Sequence, residues 1–89
     1  MGDISLRERL GYKKVEENPP KYRFEKETRY GIFSITIDTY HKDVSANMIP
    51  SLLIVYERHV EGYANAFKEM MRDAKEIAQS IGYKLLNEV

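Results

Sequence analysis

The residues best equipped for acid–base or metal chemistry are Asp38, His41 and Asp43, which follow one another closely at the exit of an alternating apolar segment. An imidazole with two carboxylates is a minimal donor set for a divalent cation or a proton-transfer pair. On a straight strand Asp38 and His41 point to opposite faces, so the three meet only if the chain bends there. The competing reading is a solvated strand end, and the sequence is read without any catalytic, cofactor or metal residue. The second histidine, His59, lies between Arg58 and Val60 with Glu57 and Glu61 nearby. It lacks the partner histidine four positions away that a helical zinc motif requires. No serine has a glycine-flanked elbow, and no glycine run could cradle a phosphate.

A second group of residues suits nucleic acid. Lys13, Lys14, Lys21, Arg23, Lys26 and Arg29 are interleaved with Tyr12, Tyr22 and Phe24, the vocabulary of a base-stacking sheet. Glu16, Glu17, Glu25 and Glu27 largely cancel that charge. Alternation also turns Tyr22 and Phe24 away from Arg23 and Glu25, which favours core over a stacking platform.

The third group suits protein contact. Leu53, Tyr56, Val60, Tyr63, Phe67, Met70, Ala74, Ile77 and Ile81 recur at spacings of three and four, one continuous helical face. Tyr56, Tyr63, Phe67, Met70 and Met71 supply the aromatic and methionine types that interfaces favour, and with Val60 they form the expected partner-binding surface. A helix from Ser51 to Ile81 would span roughly 45 Å, whereas a ten-residue strand spans about 33 Å. The overhang is expected to be covered by a second copy across a two-fold axis.

These residues must be positioned by a small scaffold. With 89 residues, 43% hydrophobic and 31% charged, the chain is expected to form one domain with little core to spare for a deep catalytic cavity. Lys plus Arg balance Asp plus Glu at 14 each, so no chain-wide field draws in nucleic acid or membrane. The absence of cysteine removes disulfides and thiolate chemistry. With no leader-like or spanning apolar run, this makes the cytoplasm the expected location.

Ser5 to Glu8 has capping-box spacing and predicts a short N-terminal helix ending at Gly11. Tyr12–Glu16, Lys21–Glu27 and Gly31–Tyr40 read as strands, the last with Phe33, Ile35 and Ile37 inward and Thr36 and Asp38 in water. The C-terminal helix opens near Pro50 and ends at Gly82, with Tyr83–Leu86 a further edge strand. Leu52–Tyr56 also suits a buried strand, with a shorter helix then starting at Gly62, but the continuous helix is the favoured reading. In a continuous helix, alanine at position 62 would stabilise. Leu10-Gly11-Tyr12-Lys13 and Ile81-Gly82-Tyr83-Lys84 share one pattern, a helix end followed by an aromatic entering extended chain.

Residues 10–40, with Leu-Gly-Tyr-Lys-Lys-Val-Glu-Glu-Asn, then Tyr-Arg-Phe-Glu-Lys and Ile-Thr-Ile-Asp, resemble short uncharacterised proteins of Gram-positive bacteria and their phages. The resemblance implies a phage or prophage origin and brings no function with it. The expectation is therefore an α+β fold: a short helix, an antiparallel meander, and a long C-terminal helix on the sheet, broken or unbroken near Gly62. Its function is read as a non-enzymatic interaction or regulatory protein acting as a homodimer, without cofactor. A nucleic-acid accessory protein using residues 13–29 is the alternative, and a metal-dependent enzyme around His41 the third.

Overall fold

The structure, a computed structural model, describes residues 2–50 and 60–86. The fold is α+β. Helix α1 (Gly2–Arg9) precedes four strands, β1 (Lys13–Asn18), β2 (Lys21–Thr28), β3 (Gly31–Asp38) and β4 (Asp43–Pro50). Helix α2 (Val60–Ile81) and the short strand β5 (Lys84–Leu85) complete it. The sheet order is β1-β2-β3-β4-β5, with the first four antiparallel and β5 parallel to β4. A parallel pair needs a crossover connection, and α2 supplies it by returning across the sheet between β4 and β5.

Three cross-strand rows build the core face. Tyr22, Ile37 and Val44 stand side by side, then Phe24, Ile35 and Ala46, then Lys26, Phe33 and Met48. Ala66, Met70, Ala74, Ile77 and Ala78 are buried on α2, which covers this face. The alternation in β3 is therefore correctly read for Phe33, Ile35 and Ile37. Asp38 departs from it: its position is on the opposite face, yet it is only 6% exposed, because the turn that follows folds over its carboxylate.

Strand β4 corrects the expected start of the C-terminal helix. Pro50 closes a strand rather than opening a helix. Lys84 N and Leu86 N donate to the carbonyls of Lys42 and Val44, so even-numbered backbone groups of β4 face away from β3. The missing N–H at Pro50 consequently interrupts no β3–β4 hydrogen bond. The segment 51–59, with Tyr56, His59 and the helix-or-strand alternative for Leu52–Tyr56, lies outside the described residues.

Both helices end alike. Tyr12 N donates to Arg7 O at 3.0 Å and Tyr83 N to Ala78 O at 2.9 Å, with Gly11 and Gly82 at φ +93° and +72°. The repeated Gly-Tyr pattern is thus a shared helix stop, glycine taking the left-handed position. Helix α1 begins at Gly2, so Ser5 sits inside it rather than capping it.

Helix α2 runs unbroken through Gly62, where the glycine serves close approach. A Cβ there would lie 2.5 Å from the Tyr30 hydroxyl and 2.6 Å from its ring. The helical gain from alanine, roughly 0.5–1 kcal/mol, is opposed by displacement of that ring. Gly62→Ala alone is expected to be neutral or destabilising in chemical denaturation. In a Tyr30→Ser background the same change should stabilise by about 0.5–1 kcal/mol, and a double-mutant cycle measures the difference.

Candidate functional site

A charged group stands inside the core. Asp73 falls on the buried side of α2, three residues after Met70 and four before Ile77, and is 4% exposed. Tyr12, buried just beyond the α1 stop, donates its hydroxyl to Asp73 Oδ2 at 3.0 Å. Lys26 reaches the same oxygen at 3.7 Å and Glu69 at 3.9 Å. Its ammonium lies 5.5 Å from the Tyr12 ring centre and 5.7 Å from that of Phe33, within cation–π range. Burial pushes the Asp73 carboxyl above its ordinary value, against the opposing pull of the Tyr12 hydrogen bond and Lys26. Burial and the neighbouring Asp73 likewise push the Tyr12 phenol up. This cluster joins the end of α1, β2 and α2.

The Asp38–His41–Asp43 set does converge. Strand β3 ends at Asp38 and residues 39–42 reverse the chain, with Lys42 at φ +57°. The ligating atoms of all three then lie within 4.8 Å of one another. Asp38 Oδ1 accepts the Tyr40 and His41 backbone N–H groups at 2.9 and 3.0 Å, and Oδ2 accepts the His41 ring Nδ1–H at 2.8 Å. These bonds, the His41 ring foremost, hold the Asp38 carboxyl below its usual range. The carboxylate is satisfied as a turn cap, and the imidazole occupies the position on it that a cation would need.

A groove of about 530 Å³ lies on the helix side of the sheet, between α1, the start of β2 and the end of α2. Its walls are Tyr22, Phe24 and Ile37 from the sheet and Ile81 and Tyr83 from the α2 terminus. Arg7 and Lys14 bring positive charge, Thr39 and Ser80 bring hydroxyls, and no Asp or Glu among the described residues lines it. The Arg7 guanidinium lies 4.4 Å from the Phe24 ring centre. No carboxylate pairs with Arg7 among the described residues. Lys14 owes its place to a bulge in β1: the register moves from Lys14↔Phe24 to Glu16↔Arg23. That skip puts Lys14 and Glu17 on the groove side, where they form an ion pair, and sends Glu16 to the opposite face.

The other expected site residues are dispersed. Within residues 13–29, Arg23 contacts Glu25 at 3.3 Å and Glu16 at 3.6 Å on the face away from α2, while Lys26 enters the core. The segment presents no single basic surface. Of the helix residues, Met70 is wholly buried against the sheet and is core rather than contact surface. Tyr63 and Met71 are half-buried and pack on the core, and Phe67 is 39% exposed. Helix α2 has 22 residues, about 33 Å, against strands of roughly 27 Å, so the expected overhang is small among the described residues. Val60 opens α2, its side chain lying outside the described set. Sequence reading missed the groove and the Asp73 cluster. Lys26 does share parity with Tyr22 and Phe24, and Asp73 does fall on the Met70–Ile77 face.

No protein-family model, curated protein or solved structure matches this chain.

Tyr12→Phe removes the donor to a buried carboxylate and is expected to cost about 1–3 kcal/mol at neutral pH. Asp73→Asn tests the charge itself. A carboxyl raised by folding contributes most to stability below the ordinary aspartate range and loses that contribution as pH rises through its folded value. The asparagine variant should therefore gain on the parent as denaturation is repeated from acid toward neutral pH. A constant difference between the two would contradict the raised carboxyl.

Proposed function

We propose that this protein is a non-catalytic binding protein whose ligand site is the groove between α1 and the C-terminal end of α2. The observation that carries this reading is Arg7, a guanidinium 4.4 Å from the Phe24 ring centre in a groove that no carboxylate lines among the described residues. A groove of this size falls in the range of small-molecule sites, which combine apolar and aromatic walls with a few convergent polar groups. Binding rather than catalysis is favoured because the groove's serine and threonine hydroxyls are committed to carbonyls. Ser80 Oγ donates to Ile77 O at 2.7 Å and Thr39 Oγ1 to Pro20 O at 3.1 Å. The cysteine-free composition suits a reducing compartment, and no helix among the described residues is long and apolar enough to cross a membrane.

Ser80→Trp tests the site, since an indole at this exposed helical position would fill the groove. Compounds that bind there should stabilise the parent, by about 2.7 kcal/mol at a hundredfold excess over Kd, and leave the tryptophan variant unmoved. Equal stabilisation of both would place the binding elsewhere.

A second reading, a homodimer, is favoured by the exposed Phe67 with Met71 one turn further along α2. Tyr63 extends the same flank, and Tyr56 and Val60 precede it in sequence. Burying such a patch against a second copy removes apolar area from water on both partners. Sedimentation should then give a dimer for the parent and a monomer for Phe67→Glu. A monomeric parent would exclude this reading and leave the groove untouched.

A further inference from the structure

Resting on the groove as the binding site, we infer that its ligand is a planar ring carrying hydrogen-bond donors at one end and an anionic group at the other. This is the chemistry shared by mononucleotides and amino-substituted aryl acids. The anionic end is assigned by Arg7. The Arg7 guanidinium carbon lies 4.4 Å over the Phe24 ring centre, and a cation held on a ring face keeps its N–H donors for a second partner. Those donors form a fork that matches a phosphate or carboxylate. Phe24, which holds the fork, is 6% exposed and fixed in the central row of the core. Lys14 stands at the same side of the groove, its charge shared with Glu17.

The opposite wall has the opposite polarity. Ser80 and Ile81 belong to the last turn of α2, where the helix dipole presents partial negative charge. The hydroxyls of Ser80 and Thr39 spend their protons on Ile77 O and Pro20 O, so what they offer a ligand is oxygen lone pairs. Acceptors at this end repel an anion and attract ring N–H groups. Tyr22 and Tyr83, both half-buried, line the space between the two ends, and their rings suit a flat ligand. The ligand's direction is thereby set, with its anion toward α1 and its ring donors toward the end of α2.

The experiment is an amide NMR titration of the full chain with adenosine 5′-monophosphate, 4-aminobenzoate, adenosine and inorganic phosphate. Saturable shifts around Arg7, Tyr22, Ser80 and Tyr83 are expected with the first two, the tighter of which identifies the source. Adenosine and phosphate should each bind at least tenfold more weakly than the tighter of them. Arg7→Gln should weaken that ligand at least tenfold. Arg7→Lys keeps a cation near Phe24 but loses the fork. It should weaken binding at least threefold, and it is the variant to read if Arg7→Gln loses its dispersed spectrum. Adenosine binding as tightly as the anions would keep the groove as a site and overturn its anion specificity. Unchanged affinity in the arginine variants would do the same. Absence of shifts with all four probes would overturn the ligand class, while hits blocked by Ser80→Trp would still uphold the groove.

Discussion

A buried carboxylate on the inner face of α2 sets the terms for the rest of the molecule. Desolvating an ion costs several kcal/mol, and leaving it without partners commonly costs about 3–5 kcal/mol. Asp73 therefore tolerates only arrangements in which donors arrive from other elements. Tyr12 arrives from the end of α1 and Lys26 from β2. Each donor fixes a degree of freedom that apolar packing alone would leave loose. A one-residue slip of β2 would carry Lys26 to the opposite face of the sheet. A rotation of α2 by one position would swing Asp73 about 100° away from both donors. Register and helix phase are thus specified by polar chemistry inside a core otherwise made of Phe, Ile, Val, Leu, Met and Ala.

The same constraint forms the groove. With Tyr12 drawn under α2, the glycine stop at Gly11 directs the preceding helix across the sheet, and Arg7 comes to rest on Phe24. At the other end α2 stops at Gly82 by the same hydrogen-bond pattern, and Tyr83 turns into β5 beside it. The two helix ends bound a space that neither fills. The β1 bulge then places Lys14 at its rim. The groove is a product of two helix stops, one strand irregularity and the polar cluster that anchors them.

Legibility in the sequence followed the strength of local periodicity. Phe33, Ile35 and Ile37 announce β3, and the period from Tyr63 to Ile81 announces α2, because burial on one face leaves a regular trace. Strand β4 was not legible: its inward residues Val44, Ala46 and Met48 include two with little β preference, and its last residue is a proline. The groove draws Arg7, Lys14, Tyr22, Thr39 and Ser80 from separate elements, and no spacing in the chain links them. The acidic turn shows the converse. Asp38, His41 and Asp43 were visible as a set, yet their meeting depended on the reversal at residues 39–42, and once there Asp38 and His41 satisfy each other.

Charge placement explains how a neutral chain can still own a local site. The cations of residues 13–29 are spent differently on the two faces: Arg23 lies between Glu16 and Glu25, Lys26 goes to Asp73, and Lys14 goes to Glu17. In high dielectric the exposed pairs of Arg23 and Lys14 contribute only a few tenths of a kcal/mol to stability, but together with the buried Lys26–Asp73 contact they offset much of the long-range field that a basic segment would otherwise project. Among the described residues Arg7 escapes this cancellation, because its neighbour there is a ring rather than a carboxylate. A cation held by a quadrupole keeps its in-plane donors and its net charge, which pairing with an acid would have consumed. Local polarity in this fold therefore comes from what a cation is packed against, and sequence-wide charge counts carry no trace of it.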